Sequence, residues 1–437
     1  MQHSYEALDR PGGLGGARLL SPLRHRDFRV LWTGMAVSLL GDGIFLIAMA
    51  WEAYTLWNAP AALALVGIGM TVPTIVFLLP GGVASDRFDR RVVMVGADTV
   101  RAVAVGVLAG LALTGSLRFW ELVALVAVYG GASAFFIPAF DAIVPDLLPP
   151  GDLQAANSLD QFVRPIALRL VGPAVGGVLV ALGTGVAFTV DAASFAASAV
   201  AVLMVRPPAR PWRETPEPAF RAMKSGLGFV RRRVWLWGTL LSAAFAYLIF
   251  LGPAEVLLPY VVKNDLHASA GALGLVFAAG GLGAVGAAIW MAQRSEPGRN
   301  VTFMYVTWTL ATLAVAGYGL ATAAWQLMIA CLAFNAFETA GTIVWATMKQ
   351  RHVPASMLGR VSSLDWLISI GLLPLSFALT APVASVFGVQ ATLVGAALLG
   401  GAITLGALFL PGMRDLERRS EGTSTPVEQM PVSSASF

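Results

Sequence analysis

The sequence predicts an all-α membrane protein of twelve spanning helices in two six-helix halves, and three observations carry that reading. Charged residues make up only 12% of the chain, against about 25% in an ordinary soluble domain, so most of its surface must face lipid or other apolar helices. The 437 residues divide into apolar runs that are each long enough to cross a bilayer as a helix. The second half also repeats the first. Pro149, Leu153, Ser158, Leu159 and Asp160 recur as Pro354, Leu358, Ser363, Leu364 and Asp365 at a constant offset of 205, and Arg29, Val30 and Gly34 recur more weakly as Arg233, Val234 and Gly238.

Taken in order, residues 1–27 form a polar tail whose Arg10, Arg18, Arg24 and Arg26 flank no apolar stretch. The first apolar run is too long to be a cleaved signal and reads as a spanning helix. Breaks at charges, Pro and Gly place the first six helices at 28–57, 62–83, 91–114, 119–145, 156–182 and 185–205. A polar stretch rich in proline follows, with Pro207, Pro208, Pro211, Pro216 and Pro218. The second set falls at 234–262, 269–292, 301–320, 323–348, 360–384 and 387–411. The expected organisation is therefore a tail (1–27), a first bundle (28–206), a linker (207–232), a second bundle (233–412) and a disordered tail (413–437). Parallel duplicated halves are how many carriers place a substrate site near the bilayer midplane.

Arginine and lysine fall on one side: the N-terminal tail, Arg87, Arg90 and Arg91, the linker, Arg294 and Arg299, Lys349 and Arg351, and the C-terminal tail. The opposite loops hold little more than Arg118 and Lys263. Positive loops stay in the cytoplasm, so both termini are expected there, in a bacterial inner membrane.

The loop after helix 2 runs from Gly82 through Asp86, Arg87 and Asp89 to Arg90 and Arg91. With the helix count, linker, repeat and charge asymmetry, it resembles the major facilitator superfamily over essentially the whole chain. Asp89 stands where that family usually has Gly, and Asp tolerates the left-handed turn. The resemblance implies that this loop latches one conformational state. Charge-assisted hydrogen bonds between Asp86 and the arginines are suited to that task; the alternative is a loop that only ends helix 2 and fixes topology. Gly172, Pro173, Gly176 and Gly177 in helix 5 look like the Gly-Pro motif of the superfamily's antiporters, although small residues also serve plain close packing. Gly41-Asp42-Gly43, Pro253-Ala-Glu255 and Gly359-Arg360-Val361 resemble the bacterial branch that holds enterobactin exporters, Tap-like multidrug pumps and lysophospholipid carriers.

Ionisable groups inside a membrane are costly, so each is a functional candidate. Asp42 in helix 1, Glu255 in helix 7 and Glu338 in helix 10 are read as acids that carry the coupling proton or recognise a cation. The competing reading is a structural acid satisfied by a neighbouring helix. Asp98 and Arg101, three apart on helix 3, can pair with each other or with the signature loop as a gating or structural ion pair, and Arg169, well inside helix 5 and a further gating candidate, requires an acid or an anionic substrate. Glu52 and Asp191 are placed near a watery surface, and Asp160 and Asp365 at helix starts where an acid complements the dipole. Trp51, Phe245, Tyr247, Phe334, Phe337 and Trp366 could supply an aromatic wall.

The resemblance implies gradient-driven export of small amphipathic, drug-like molecules by alternating access with proton antiport, or export of a siderophore or movement of a lysophospholipid on the same fold. No phosphate-binding Gly-rich loop followed by Lys is present, so the chain carries no ATP engine of its own. The four histidines fall in tails or loops and Cys331 is the single cysteine, so no catalytic or metal cluster is expected and no cofactor is assigned. The partners expected are protons, a small amphipathic substrate and the bilayer, with no nucleic acid, for a monomeric chain.

Overall fold

In a computed structural model, residues 20–149, 152–206, 226–293 and 297–417 are described, and every regular element among them is helical. Twelve helices are long and apolar enough to cross a membrane. The first six are α1 (Arg26–Leu56), α2 (Pro60–Arg87), α3 (Arg90–Leu113), α4 (Phe119–Leu147), a composite α5 and α6 (Thr184–Met204). Two α-helical pieces of α5, Leu153–Pro165 and Gly172–Leu182, are joined by a π-helical segment, Ile166–Val171. The second six begin with α7, in which Val234–Tyr260 continues as a π-helical segment, Val261–Asp265. Then come α8 (Ala270–Ala292), α9 (Asn300–Ala314 with Ala316–Leu320), α10 (Ala324–His352), α11 (Ala355–Gly371 with Leu373–Phe387) and α12 (Val389–Ala407).

Local chemistry explains the boundaries. Pro60 opens α2, where its missing N–H costs nothing. Asp89 caps α3 by accepting a hydrogen bond from the Arg91 amide at 2.9 Å, and Ser269 caps α8 by accepting from the Ala272 amide at 3.3 Å. Two tight turns require left-handed backbone: Gly183 (φ +126) between α5 and α6, and Gly388 (φ +84) between α11 and α12. These glycines are also 205 residues apart, so the duplication seen in the sequence holds for the turn geometry.

The bundles meet unequally at their two ends. On the face opposite the start of α1, here called distal, one continuous apolar core takes Tyr54 and Val66 from the first bundle with Val256, Leu273 and Phe377 from the second. On the proximal face the core divides. One cluster, from Phe28 to Val205, belongs to the first bundle, and the other, from Val230 to Met413, to the second. The molecule is therefore packed shut distally and cleft proximally.

Three segments depart from the sequence reading. The stretch expected as linker becomes helical at residues 226–231, with Val230 buried; residues 207–225 lie outside the described part. The segment expected to begin a tail at 413 instead packs down. Met413 is fully buried, and Glu417 accepts hydrogen bonds from the Thr302 amide at 2.6 Å and hydroxyl at 2.9 Å. At the other end, Ser21 and His25 bond to Asp152 at 2.9 and 2.8 Å, tying the chain's start to the turn before α5. The His25 contact, with Ser21, holds the half-buried Asp152 carboxyl below its ordinary range.

Candidate functional site

A polar set lies inside the first bundle. Asp42 on α1 accepts a short hydrogen bond from the Tyr129 hydroxyl on α4. Arg101 on α3 pairs with Asp98, one helical turn earlier. The guanidinium lies between two rings, 4.5 Å from the Phe136 centroid and 4.3 Å from that of Phe195. Asp191 on α6 completes the group: it accepts from the Ser194 hydroxyl at 3.3 Å, and its neighbour across the helix contact is Gly41. Only glycine lets α1 come that near the acid. Asp98 and Asp191 have no exposed surface. Three carboxylates thus face one guanidinium, and Oδ2 of Asp98, Oδ2 of Asp191, Nε of Arg101 and Oγ of Ser198 are buried without a hydrogen-bond partner among the described residues. Buried polar atoms are nearly always paired, so such a concentration is exceptional.

Asp42 and Arg101 also line a cavity of about 280 Å³, with Tyr129, Asp141 and Arg164 adding polar groups to walls formed by Phe45, Phe136 and Phe140. Placing Asp191 and Glu52 near a watery surface proves wrong. Glu52 is 8% exposed and accepts from the Thr184 hydroxyl at 2.6 Å, because α6 packs against α1 along this stretch.

Arg169, on the π-helical segment of α5, crosses to the second bundle. It donates to Oδ1 of Asn335 at 3.1 Å and stands 3.6 Å from Glu338, both on α10. Glu338 accepts from the Thr342 hydroxyl at 3.0 Å. Glu255 on α7 is exposed. Beside Glu338 lies a small pocket lined by Tyr247, Phe250, Trp308, Phe334 and Thr312. Of the other aromatic residues singled out, Phe245 and Phe337 are exposed, Trp51 stacks under Lys263, and the side chain of Trp366 lies outside the described part.

The Gly-Pro segment is where three helices cross. A Cβ on Gly43 would stand 2.9 Å from the Cα of Gly172 and 3.2 Å from Pro173, and one on Gly176 would stand 3.0 Å from Ile44. Gly177 meets Gly274 of α8, whose Cα would lie 3.2 Å from a Cβ placed on Gly177. Distal contacts complete the closure: the Tyr54 hydroxyl donates to the Val256 carbonyl at 2.5 Å, and Lys263 donates to the Thr55 hydroxyl at 2.8 Å.

The proximal loop is organised around a residue that sequence reading missed. Arg90 donates to Asp146, near the end of α4, and to the Ala142 carbonyl at 2.8 Å. Asp89 is spent on capping, Gly82 adjoins open space and Arg87 is exposed. The backbone of Asp86 is helical but its side chain lies outside the described part. Asp146 follows Pro145 at a helix end facing a basic loop, a signal that could have marked it. Asp160 and Asp365 do not sit at helix starts. Asp160 pairs with Arg164 at 3.2 Å inside α5, and Asp365 binds Lys349 at 2.5 Å and the Trp345 indole at 2.9 Å inside α11.

Comparison with known proteins follows this architecture. A family model described as transmembrane secretion effector matches residues 17–434. The enterobactin exporter of Citrobacter koseri is 28% identical over 404 residues, covering 89% of this chain and 87% of that protein. The multidrug efflux pump Tap of Mycolicibacterium fortuitum is 27% identical over 397 residues, 87% of this chain and 95% of the pump. Macrolide efflux protein A of Streptococcus pyogenes is 27% identical over 237 residues, about half of each chain (54% and 58%). Among solved structures, a bacterial homologue of the iron transporter ferroportin in an inward-facing state superposes with a TM-score of 0.65 at 17% identity, covering 90% of this chain and 99% of that one. The nucleoside transporter NupG superposes with a TM-score of 0.64 at 12% identity, covering 86% and 98%.

Proposed function

The chain belongs to the transmembrane secretion effectors of the major facilitator superfamily, and from that premise we propose that it exports small amphipathic molecules by alternating access in exchange for protons. The observation that carries this reading is the 280 Å³ cavity of the first bundle, which joins apolar walls to Asp42 and its buried partners. With all three acids ionised, the set of Asp42, Asp98, Asp191 and Arg101 would hold two negative charges in excess away from water. That state is expensive, and proton binding relieves it. Distal closure and the proximal cleft give the cavity access to one side. With the arginine-rich face cytoplasmic, that side is the cell interior of a bacterial plasma membrane, where an exporter loads its cargo.

In this reading cargo enters from the proximal cleft, and the bundles rock about the α5–α8 glycine contact. Arg90 and Asp146 hold the proximal loop on α4 during the change, with Asp86 and Arg91 as the other candidates for that latch. The chain's partners are then a small amphipathic substrate, protons and the surrounding bilayer, and the working unit is one chain.

A second reading, siderophore export, is favoured by the enterobactin-exporting relative that aligns over 89% of the chain. One experiment separates the two. Efflux of a fluorescent lipophilic compound and of a labelled catecholate is followed in cells with and without a proton uncoupler, in the unaltered chain and in Asp42→Asn. Uncoupler-sensitive efflux lost in Asp42→Asn supports proton exchange and its cargo names the substrate class; efflux that ignores both overturns the coupling reading.

A further inference from the structure

One proximal corner of the second bundle joins two segments that are distant in the chain. The helical turn at 226–231 leads into α7, and the segment that follows α12 packs against it. Val230 and Met413 are buried in one apolar cluster. A Cβ on Gly412 would stand 3.2 Å from Cγ2 of Val234, and one on Gly238 would meet the end of Met413. Glu417 fastens the second segment to the start of α9 through Thr302. Packing therefore fixes where the charges of both segments stand.

Arg231, Arg232 and Arg233 directly precede the contact of Val234 with Gly412, and Arg414 follows it by two residues. Arg231 and Arg232 are exposed. Arg233 lies on the Phe229 ring, 3.6 Å from its centroid, and donates to the Phe229 carbonyl at 3.2 Å; Arg414 stands 5.7 Å from the Phe409 centroid. None of the four forms an ion pair with another described residue, whereas the proximal Arg90, Arg164 and Lys349 each hold an acid. Of the two acids at hand, Glu417 is engaged by Thr302 and Asp415 folds back toward Gly412. The corner keeps a surplus of positive charge. Topology requires arginines on this side of the membrane, but it does not require folding to gather them at one helix end.

Next to the corner lies an acyl-chain surface. α12 turns Leu398, Leu399, Ala402 and Leu405 outward at helical spacing, and Phe409, 66% exposed, continues that strip past the helix end. In a spanning helix such a strip faces lipid. Guanidinium groups bind phosphate oxygens in pairs of parallel hydrogen bonds, and basic clusters beside a spanning helix attract anionic headgroups. We propose that this corner binds an anionic phospholipid, its phosphodiester bridging Arg231 and Arg232 on one segment to Arg414 on the other and its chains lying along α12. Bound there, the lipid staples the segment that enters α7 to the segment that leaves α12. This site is independent of cargo and of the coupling ion, and its test needs no transport.

Lipid retention is read by native mass spectrometry on the full chain released from nanodiscs that hold equal amounts of phosphatidylglycerol and phosphatidylcholine. The unaltered chain is expected to keep phosphatidylglycerol in preference. Arg231→Gln with Arg232→Gln and Arg414→Gln should keep at least fivefold less. Arg24→Gln with Arg29→Gln and Arg206→Gln removes three exposed arginines from the first bundle and should leave retention unchanged. No preference in the unaltered chain, no loss in the first variant, or equal loss in both would overturn the proposal, the last by reducing the effect to net charge. Arg231→Lys with Arg232→Lys and Arg414→Lys is expected to hold phosphatidylglycerol within twofold of the unaltered chain; a loss as large as with glutamine would mean that the arginines serve the fold and not a phosphate. Glycerophosphoglycerol, the same headgroup without chains, should displace no lipid when added in excess. Displacement would assign the corner to soluble phosphodiesters and defeat the lipid site.

Discussion

Arg101 concentrates the chemistry of the first bundle in one side chain. It pairs with Asp98, sits between two rings, and is the guanidinium facing the buried Asp98 and Asp191 and the cavity-lining Asp42. Removing one partner of a buried pair leaves an uncompensated charge, at a cost of about 3–5 kcal/mol. Arg101→Met is therefore expected to lower the melting temperature of the solubilised protein sharply, and Asp98→Asn added to it to recover part of the loss. Equal melting of the single and double variants would show that the pair is not coupled. Asp152 offers a contrast outside the membrane. Its carboxyl is held low by His25 and Ser21, so the stability it confers is fully present above the ordinary aspartate value of about 3.9. That contribution is lost only as pH falls through the depressed native value. The melting difference between the unaltered chain and Asp152→Asn should thus stay level from about pH 5 down to the ordinary aspartate value of about 3.9 and shrink below it. The individual acids were legible because a charge inside an apolar run is conspicuous. Their company was not. Asp191 reaches the turn that carries Asp42 only because Gly41 lets α6 approach, and no spacing along the chain encodes a contact between residues 41 and 191.

The composite α5 shows what an element adds. Reading 156–182 as one uniform helix located the Gly-Pro segment, since Gly43, Gly172, Gly177 and Gly274 do lie at backbone-to-backbone crossings. What a 3.6-residue period cannot reveal is one extra residue in a turn. Pro165 and Pro173 each withdraw an N–H from the ladder, and between them the chain relaxes into the π-helical segment that turns Arg169 toward α10. The break of α11 at Leu372, just before Pro374, was missed for the same reason. The glycine crossing between α5 and α8 carries the closest approach of the bundles, so bulk placed there should act on their separation. Gly274→Val puts a side chain where a Cβ already stands 3.0 Å from the Cα of Gly177. We expect the variant to fold, because each bundle keeps its own proximal core, but to hold α5 and α8 apart and slow efflux at least tenfold. Spin-label distances between the distal ends of α5 and α8 would report the widening. An unchanged distance would assign the glycines to tolerance of packing alone.

At the scale of the whole molecule, the question is what keeps the distal side shut while the proximal side stands open. The shared distal core supplies bulk attraction, but two side chains fix its register across the bundles by hydrogen bonds: Tyr54 to the Val256 carbonyl, and Lys263 to the Thr55 hydroxyl and, at 3.5 Å, the Trp51 carbonyl. Both contacts would have to break for the bundles to part distally, and neither is needed within a single bundle. They therefore bias the equilibrium between states without contributing to the fold of either half. Each such bond is worth about 0.5–1.5 kcal/mol net. Removing both in Tyr54→Phe with Lys263→Ala should shift the ratio of distal-open to distal-closed molecules by about 1–3 kcal/mol, roughly 5- to 150-fold. Labels at Asn58 and Asp265, on distal segments of opposite bundles, would read the shift as a growing long-distance population, while the melting temperature changes little. A distance distribution identical to that of the unaltered chain would mean that the apolar core alone sets the resting state, and that the latch must be sought in the glycine crossing of α5 with α8.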